Sequence, residues 1–139
     1  MPCLEVSLPR TDLKTKERLT AGLTDIGVEV AGFDRNVFRI RFHEYGVGEA
    51  GMAGKLWDGK ENPYLHFLLY CPRLKRSVKQ RLMEGMSAAF VAVLGKPDWF
   101  PVIHICEHPY DNIGASGKPL VEKYPEVAGR KFYFDLPND

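Results

Sequence analysis

The chain repeats itself at an interval of 63 residues, and this repeat constrains the fold more than any other feature. Laid over each other at that offset, the two halves are identical at 14 of 55 positions without a gap. The identities include dipeptides, single charges and glycines as well as apolar positions: Pro9-Arg10 and Pro72-Arg73, Glu44 and Glu107, Gly54-Lys55 and Gly117-Lys118. Shared hydrophobic patterning does not place such residues at one fixed offset, so the sequence indicates duplication of a single unit.

Each unit has the pattern of a strand, a helix and a second strand. Apolar strand-like runs are followed by helical periodicity and then by another apolar run. Asp12 or Thr11 and Ser77 are the expected N-caps, and Gly32 and Gly95 stand where C-caps belong. The predicted strands are 3–8, 37–43, 65–71 and 102–106, and the predicted helices are 12–31 and 77–94.

We therefore predict one α+β domain over residues 1–139. It consists of a repeat over 1–55, a linker over 56–63, a second repeat over 64–118 and a tail over 119–139 with a short strand at 131–136. Two tandem β-α-β repeats form a four-stranded sheet with two helices on one face. We expect the other face to be apolar and therefore to be covered by self-association.

Composition excludes several classes of function. A formal net charge of +1 suggests neither nucleic acid nor an anionic membrane as a partner, and no apolar run is long enough to span a bilayer. Without a secretion signal, the expected location is cytoplasmic. The odd number of cysteines predicts buried reduced thiols rather than a disulfide framework. The four histidines lack a metal-ligand spacing, so we expect no metal.

A duplicated unit of this kind that begins Met-Pro resembles the tautomerase superfamily, over about residues 1–120. Each half resembles 4-oxalocrotonate tautomerase, and the whole resembles the fused members, which include cis-3-chloroacrylic acid dehalogenase. The quoted stretches are the Met1-Pro2 start, Arg39 on the second strand, the glycine-rich Gly51–Leu56, Arg73–Ser77 at the second helix, Glu107–Pro109 and Asn112–Gly114. The second unit has Leu65 at the position that matches Pro2, which implies one catalytic proline per chain.

The resemblance implies that Pro2 is a catalytic base once Met1 is removed. A free α-amino group titrates near about 7.7–8.0, and burial or nearby arginines disfavour its charged form. Such an amine suits proton transfer at a carbon next to a carbonyl, or at an enol hydroxyl, without a cofactor.

Arginines are the expected partners of a small carboxylate substrate. Arg73 and Arg76 are the predicted catalytic pair. Arg39 and Arg10, the repeat-equivalent of Arg73, are predicted substrate-binding residues. His104, Asn112 and Trp57 are further candidates for the pocket wall. For His104 a packed position is the alternative, and for Trp57 it is a plug at a subunit contact.

Two alternatives to isomerisation remain at this point. One is a lyase or hydratase, such as a dehalogenase or decarboxylase, and the other is a non-catalytic oligomeric binding protein. The dehalogenase members imply a histidine where this chain has Gly27 and a water-activating glutamate where it has Ala115, so we favour keto-enol isomerisation. The fused members also imply a homotrimer.

Overall fold

The computed structural model of the protein describes residues 2–127. The predicted tail strand at 131–136 lies outside these residues. Two long helices and four long strands carry the architecture, and two short hairpins, one short α-helix and two 3-10 helices complete it. The elements are β1 Cys3–Pro9, α1 Leu13–Ala31, β2 Arg39–Tyr45, β3 Gly51–Met52, β4 Lys55–Leu56, β5 His66–Cys71, α2 Arg76–Leu94, β6 Val102–Glu107, β7 Gly114–Ala115, β8 Lys118–Pro119 and α3 Leu120–Lys123, with 3-10 turns at Tyr110–Asn112 and Pro125–Val127.

The structure has the internal repeat that the sequence indicates. Each strand and helix from β5 to β8 begins 63 residues after its counterpart between β1 and β4. Both hairpins turn through two successive residues of positive φ, namely Ala53-Gly54 and Ser116-Gly117. Two positive-φ residues in a two-residue loop match the right-handed twist of the flanking strands. The glycine-rich segments are therefore hairpins, as the sequence predicts.

The four long strands form one mixed sheet in the order β2-β1-β5-β6. Within each unit the two strands are parallel, and the two units meet through the antiparallel pair β1–β5. Consequently β1 and β5 point in opposite directions, and the start of β1 lies beside the end of β5, where Cys3 pairs with Tyr70. This register gives the sheet two ends that are related by the repeat. We call them the Pro2 end and the Arg10 end.

Both helices cover one face of the sheet and enclose the core. Alternate residues of the central strands, such as Leu4, Val6 and Phe67, are fully buried against them. The repeated glycines Gly22 and Gly85 lie where the helices pack closely. A side chain at position 85 would come within 3.0 Å of Ile26 on the other helix. The predicted α+β class, with two helices on one face of four strands, is confirmed.

The prediction that the opposite sheet face is apolar is wrong. Charged and imidazole groups are prominent among its residues, which include Cys3, Glu5, Ser7, Arg39, Arg41, His43, His66, Leu68, Tyr70, Val102, His104 and Cys106. The burial of this face alternates with that of the helix-covered face along each strand. The strand-like runs are rich in apolar residues, but only the alternate positions that face the helices have to be apolar.

Some predicted boundaries also need correction. Ser77 is not an N-cap, because α2 begins one residue earlier and Lys75 precedes it without a side-chain capping bond. Asp12 does cap α1 and accepts a hydrogen bond from the Thr15 amide. The second strand begins at Arg39 rather than at Val37, which belongs to a turn.

The cysteines of the protein differ in their burial. Cys71 is buried, but Cys106 is exposed, so the expectation that every cysteine is buried fails there because position 106 faces away from the helices. Within residues 2–127 no helix is long and apolar enough to cross a membrane. Over the same residues no three metal-ligating side chains are grouped closely enough to hold a metal ion.

Candidate active site

One glutamate near the end of the second strand fastens each repeat unit. Glu44 accepts hydrogen bonds from the Thr11 amide and from the Lys16 ammonium, both at 2.8 Å. In the second unit, Glu107 accepts the Leu74 amide at 2.7 Å and the Lys79 ammonium at 2.9 Å. The two bonds connect the strand to the loop and helix that cross over it. This shared clip explains why a glutamate and a lysine are identical in the two units.

Pro2 is buried and lines a cavity of about 520 Å³ at its end of the sheet. Arg39 and Arg41 of β2 supply the charged part of the wall, and Ile113-Gly114 closes the other side. The complete lining is Pro2, Cys3, Arg39, Ile40, Arg41, Ile113 and Gly114. Pro2 therefore lines the same cavity as two arginines and an apolar segment.

The local structure positions each part of this wall. The first strand pairs with β2 in a register that sets Cys3 beside Arg39, and the Arg39 amide donates to the Pro2 carbonyl at 3.3 Å. That bond fixes the position of Pro2 at the start of the strand. Ile113 is held by a small satellite core in which Tyr110 and Leu120 are buried.

Arg41 is the cavity residue that the sequence analysis missed. It lies two positions after Arg39, so both point to the same face of the strand. Its guanidinium is 3.7 Å from Glu5, and the His43 imidazole is 3.5 Å from the other oxygen of that carboxylate. The signal that could have found Arg41 is the spacing of two arginines at i and i+2 on a predicted strand.

The predicted pair Arg73 and Arg76 belongs to the same end of the sheet but does not line this cavity. Arg73 follows β5 directly, and its guanidinium is 3.5 Å from Glu107 with only 17% of the side chain exposed. Arg76 is the first residue of α2 and is exposed. Asn112 is exposed on the 3-10 turn immediately before the cavity residue Ile113.

Two other candidates lie at the opposite end of the sheet. Arg10 follows β1, roughly 26 Å of strand away from Pro2, and donates two hydrogen bonds of 3.1 Å to Glu49. Trp57 packs edge-on against Tyr45 with ring centroids 5.7 Å apart. Burial raises the pKa of the Tyr45 hydroxyl to about 12. The structure thus separates these residues from the Pro2 cavity of the same chain.

The two ends differ at positions that the repeat makes equivalent. A side chain at Gly46 would collide with the Arg10 guanidinium, and the corresponding residue of the second unit is Pro109. The partner of Arg10 is the carboxylate of Glu49, whereas the corresponding position 112 is a neutral asparagine. Arg10 is thus paired with a hairpin-loop glutamate that the second unit lacks, whereas Arg73 is paired with Glu107.

His104 lies on the sheet face that the helices leave uncovered. Its Nδ1 is 2.7 Å from Nε2 of His66, and the His66 ring stacks on Tyr64. Burial, and then the neighbouring His104, lower the pKa of His66. His104 is exposed and is not part of the Pro2 cavity wall, so the structure favours neither the packed position nor a place beside Pro2.

The structure shows the surroundings of Gly27 and Ala115, where resemblance to the dehalogenases implies a histidine and a glutamate. Gly27 is buried in α1, and a side chain there would come within 3.2 Å of both Phe33 and Phe38. These rings stack at 5.8 Å and fill the space. Ala115 belongs to β7 and carries no group that could activate water. The arrangement offers arginines that can bind an anion in the cavity that Pro2 lines.

Comparison with known proteins gives a likeness at the level of structure. No family model matches the sequence, and no curated protein matches it. A fused 4-OT described as a wild-type asymmetric trimer superimposes with a TM-score of 0.74 at 24% identity, covering 92% of this chain and 99% of its own. Pt0534, described as inactivated by 2-oxo-3-pentynoate, gives 0.72 at 19% identity, covering 93% and 98%.

A third solved structure, N1 of the cis-3-chloroacrylic acid dehalogenase family, gives a TM-score of 0.68 at 20% identity, covering 93% of this chain and 92% of its own. Together these likenesses confirm the fold of the fused tautomerases over most of the chain. At these identities they establish the fold, and the chemistry has to be argued from the site.

Proposed function

We propose that the protein is a cofactor-independent isomerase of the tautomerase superfamily. It catalyses keto-enol proton transfer in small 2-oxo or 2-hydroxy-unsaturated carboxylates, with Pro2 as the general base after removal of Met1. The observation that carries this proposal is the burial of Pro2 in a cavity that it shares with Arg39. The inactivation of the structurally similar Pt0534 by a 2-oxo acid is consistent with such a substrate.

In this proposal the secondary amine of Pro2 takes a proton and returns it to another atom of the same substrate. Burial and the nearby guanidinium groups both disfavour the ammonium form, which lowers the pKa of the amine toward neutrality. A base whose pKa is near the working pH is most effective in proton transfer. Since the proline ring restricts the backbone, the nitrogen keeps one position relative to the substrate.

Arg39 binds the substrate carboxylate and thereby orients the reacting carbon toward Pro2. Arg73 and Arg76 are the proposed groups that stabilise negative charge on the enolate oxygen. Glu107 holds Arg73 in place, since they are 3.5 Å apart and both largely buried. Asn112 completes the proposed pocket wall, and His104, Arg10 and Trp57 can serve only the Pro2 cavity of a neighbouring subunit.

We also propose that the protein is a homotrimer. The sheet face without helices carries partly buried groups such as Glu5 and His66. Within residues 2–127, the outer strands β2 and β6 each pair with another long strand on one side only. Such edges pair readily with another chain. The fused 4-OT described as a trimer shares the fold. Light scattering coupled to size-exclusion chromatography measures the mass of the assembly directly, and a monomeric mass excludes a homotrimer.

The test of the function compares three forms of the protein in ketonisation of 2-hydroxymuconate and of phenylenolpyruvate. They are the processed wild type, Pro2→Ala, and the wild-type sequence with an uncleaved N-terminal extension. In the extended protein only the Pro2 nitrogen changes, from an amine to an amide that cannot accept a proton. We expect activity in the first form and a loss of at least about 100-fold in the extended form.

Intact mass spectrometry must accompany these assays, because it shows whether Met1 is absent. Processed protein that is no faster than the extended form on either substrate excludes Pro2 as the base. Parallel assays of dehalogenation with cis-3-chloroacrylate and of decarboxylation with malonate semialdehyde test the lyase alternative. Activity only in those assays replaces isomerisation with that class, and activity in none leaves the non-catalytic binding protein.

A further inference from the structure

A second cavity lies at the Arg10 end of the sheet, between the start of α1 and the end of α2, and its volume is about 250 Å³. Part of its wall is apolar and belongs to the core, since it includes Leu8, Val93, Leu94 and Trp99. The polar part of the wall consists of Arg10, Thr11, Thr15 and Lys96. The cavity thus offers an apolar surface beside two cationic groups and two hydroxyls.

The internal repeat allows the two ends of the molecule to be compared at this place. At the Pro2 end, Phe33 is equivalent to Lys96 and is only 8% exposed. There, Leu74 and Val78 are equivalent to Thr11 and Thr15, and both pack against the core. Three positions that are apolar at one end are therefore polar at the other, and all three polar residues line the same cavity.

A tight turn fixes Lys96 and Trp99 relative to each other. The Trp99 amide donates to the Lys96 carbonyl at 3.1 Å, and the Lys96 ammonium lies 5.6 Å from the centroid of the Trp99 ring. Among residues 2–127 no carboxylate lies within 4.0 Å of this ammonium, whereas Arg10 is already paired with Glu49. The charge of Lys96 is therefore available to an anion that lies against an aromatic wall.

We propose that this cavity is a second ligand-binding site, for a small acid with a flat apolar body. The body of the ligand packs against Trp99 and the neighbouring core side chains, and its carboxylate binds the Lys96 ammonium. Small-molecule sites combine apolar walls with a few placed polar groups in this way. Cavities for drug-sized ligands measure about 300–1,000 Å³, so this smaller one fits a ligand of about ten non-hydrogen atoms. It shares no lining residue with the Pro2 cavity.

The test uses phenylacetate and its neutral amide, phenylacetamide, as probes. The chain has two tryptophans, of which only Trp99 lines the cavity, so proton–nitrogen NMR of the indole groups reports binding at Trp99 with Trp57 as internal control. Trp57→Phe assigns the two signals. We expect a saturable shift of the Trp99 signal and an affinity about tenfold higher for phenylacetate, because only the acid forms a charge-assisted bond.

Two substitutions of Lys96 separate the charge from the space. Lys96→Gln is expected to weaken phenylacetate binding about tenfold and to leave phenylacetamide binding unchanged. Lys96→Phe, which copies the repeat-equivalent residue Phe33, is expected to abolish the Trp99 shift with both probes. The controls are Lys14→Gln, at an exposed position of α1 outside the cavity, and Arg39→Gln, in the Pro2 cavity, and both keep the wild-type affinities.

Absence of a saturable Trp99 shift up to about 10 mM phenylacetate overturns the proposal, and so do equal affinities for the two probes. Binding that Arg39→Gln abolishes and Lys96→Gln leaves intact assigns the ligand to the Pro2 cavity and overturns the proposal as well. Because the experiment measures binding, each of these outcomes is independent of whether the protein catalyses the proposed isomerisation.

Discussion

The repeated glutamate clip gives a prediction with an internal control, namely the comparison of Glu107→Gln with Glu44→Gln. Glutamine keeps an oxygen that accepts the amide of the crossover loop, at 2.7 and 2.8 Å in the two units, but removes the charge. Each variant therefore weakens a bond to a partly buried lysine, at 2.9 and 2.8 Å. A hydrogen bond to a charged group contributes about 1 kcal/mol more than a neutral one.

We accordingly expect both variants to lose about 1–2 kcal/mol of unfolding free energy, or roughly 3–8 °C in Tm for a chain of this size. Only Glu107 also contacts Arg73, a proposed catalytic residue, at 3.5 Å. We therefore expect kcat/KM to fall about tenfold in Glu107→Gln and less than about twofold in Glu44→Gln. Urea unfolding and ketonisation assays on both proteins measure the two quantities.

Two results refute this reasoning. If neither variant loses stability, the clip is not what holds the strand to the crossover loop. If Glu44→Gln loses as much activity as Glu107→Gln, the loss follows from stability rather than from Arg73. A restored rate in Glu107→Asp, with stability still reduced, supports the role of the charge at Arg73.

Three further predictions follow from the same structure. Hydrogen bonds from Lys16 and Thr11 lower the pKa of Glu44. The ionised carboxylate therefore stabilises the fold above about pH 4.5, and this stabilisation is lost as the pH falls through the folded-state pKa. In acid denaturation, the unfolding free energy of Glu44→Gln must decrease less than that of the wild type. Gly27→Ala meets two aromatic rings at 3.2 Å, whereas Gly22→Ala meets only a methyl group at 4.0 Å, so we expect Gly27→Ala to be less stable than Gly22→Ala by about 1–2 kcal/mol in urea unfolding, and equal values contradict the packing. Asn112→Glu introduces the residue found at the equivalent position of the Arg10 end. We expect it to raise KM for an anionic substrate about fivefold at low salt and less at high salt, whereas Asn112→Gln leaves KM unchanged. Equal KM values for the two variants would contradict an electrostatic role of position 112.

The two ends of the sheet illustrate how duplication allows a single catalytic site. Both ends inherited an arginine after the strand, a glutamate clip and a positive-φ hairpin. At the Arg10 end, Leu65 stands at the position equivalent to Pro2, and Glu49 accepts hydrogen bonds from Arg10. At the Pro2 end, an asparagine leaves position 112 without charge. We therefore expect one catalytic site per chain rather than two.

The sequence by itself determined the repeat, the strand–helix–strand order and the class of fold. A fixed 63-residue offset carries this information because identical residues recur only where the local structure recurs, as the caps Gly32 and Gly95 show with their positive φ. It also pointed to Pro2 and Arg39. These two are close to each other through a short parallel pairing that β-α-β connectivity implies.

The tertiary structure alone decided which of the other charged residues belong together. Periodicity specifies the face on which a residue lies but not which end of the sheet two distant loops share. Arg73, which follows β5, could therefore be assigned to the Pro2 end only once the antiparallel β1–β5 register was known. Strand register also explains why Arg41 lines the cavity, because the pairing of β2 with β1 places this residue beside the first strand. Long-range pairing is a property of the whole packed chain, and local residue patterns do not encode it.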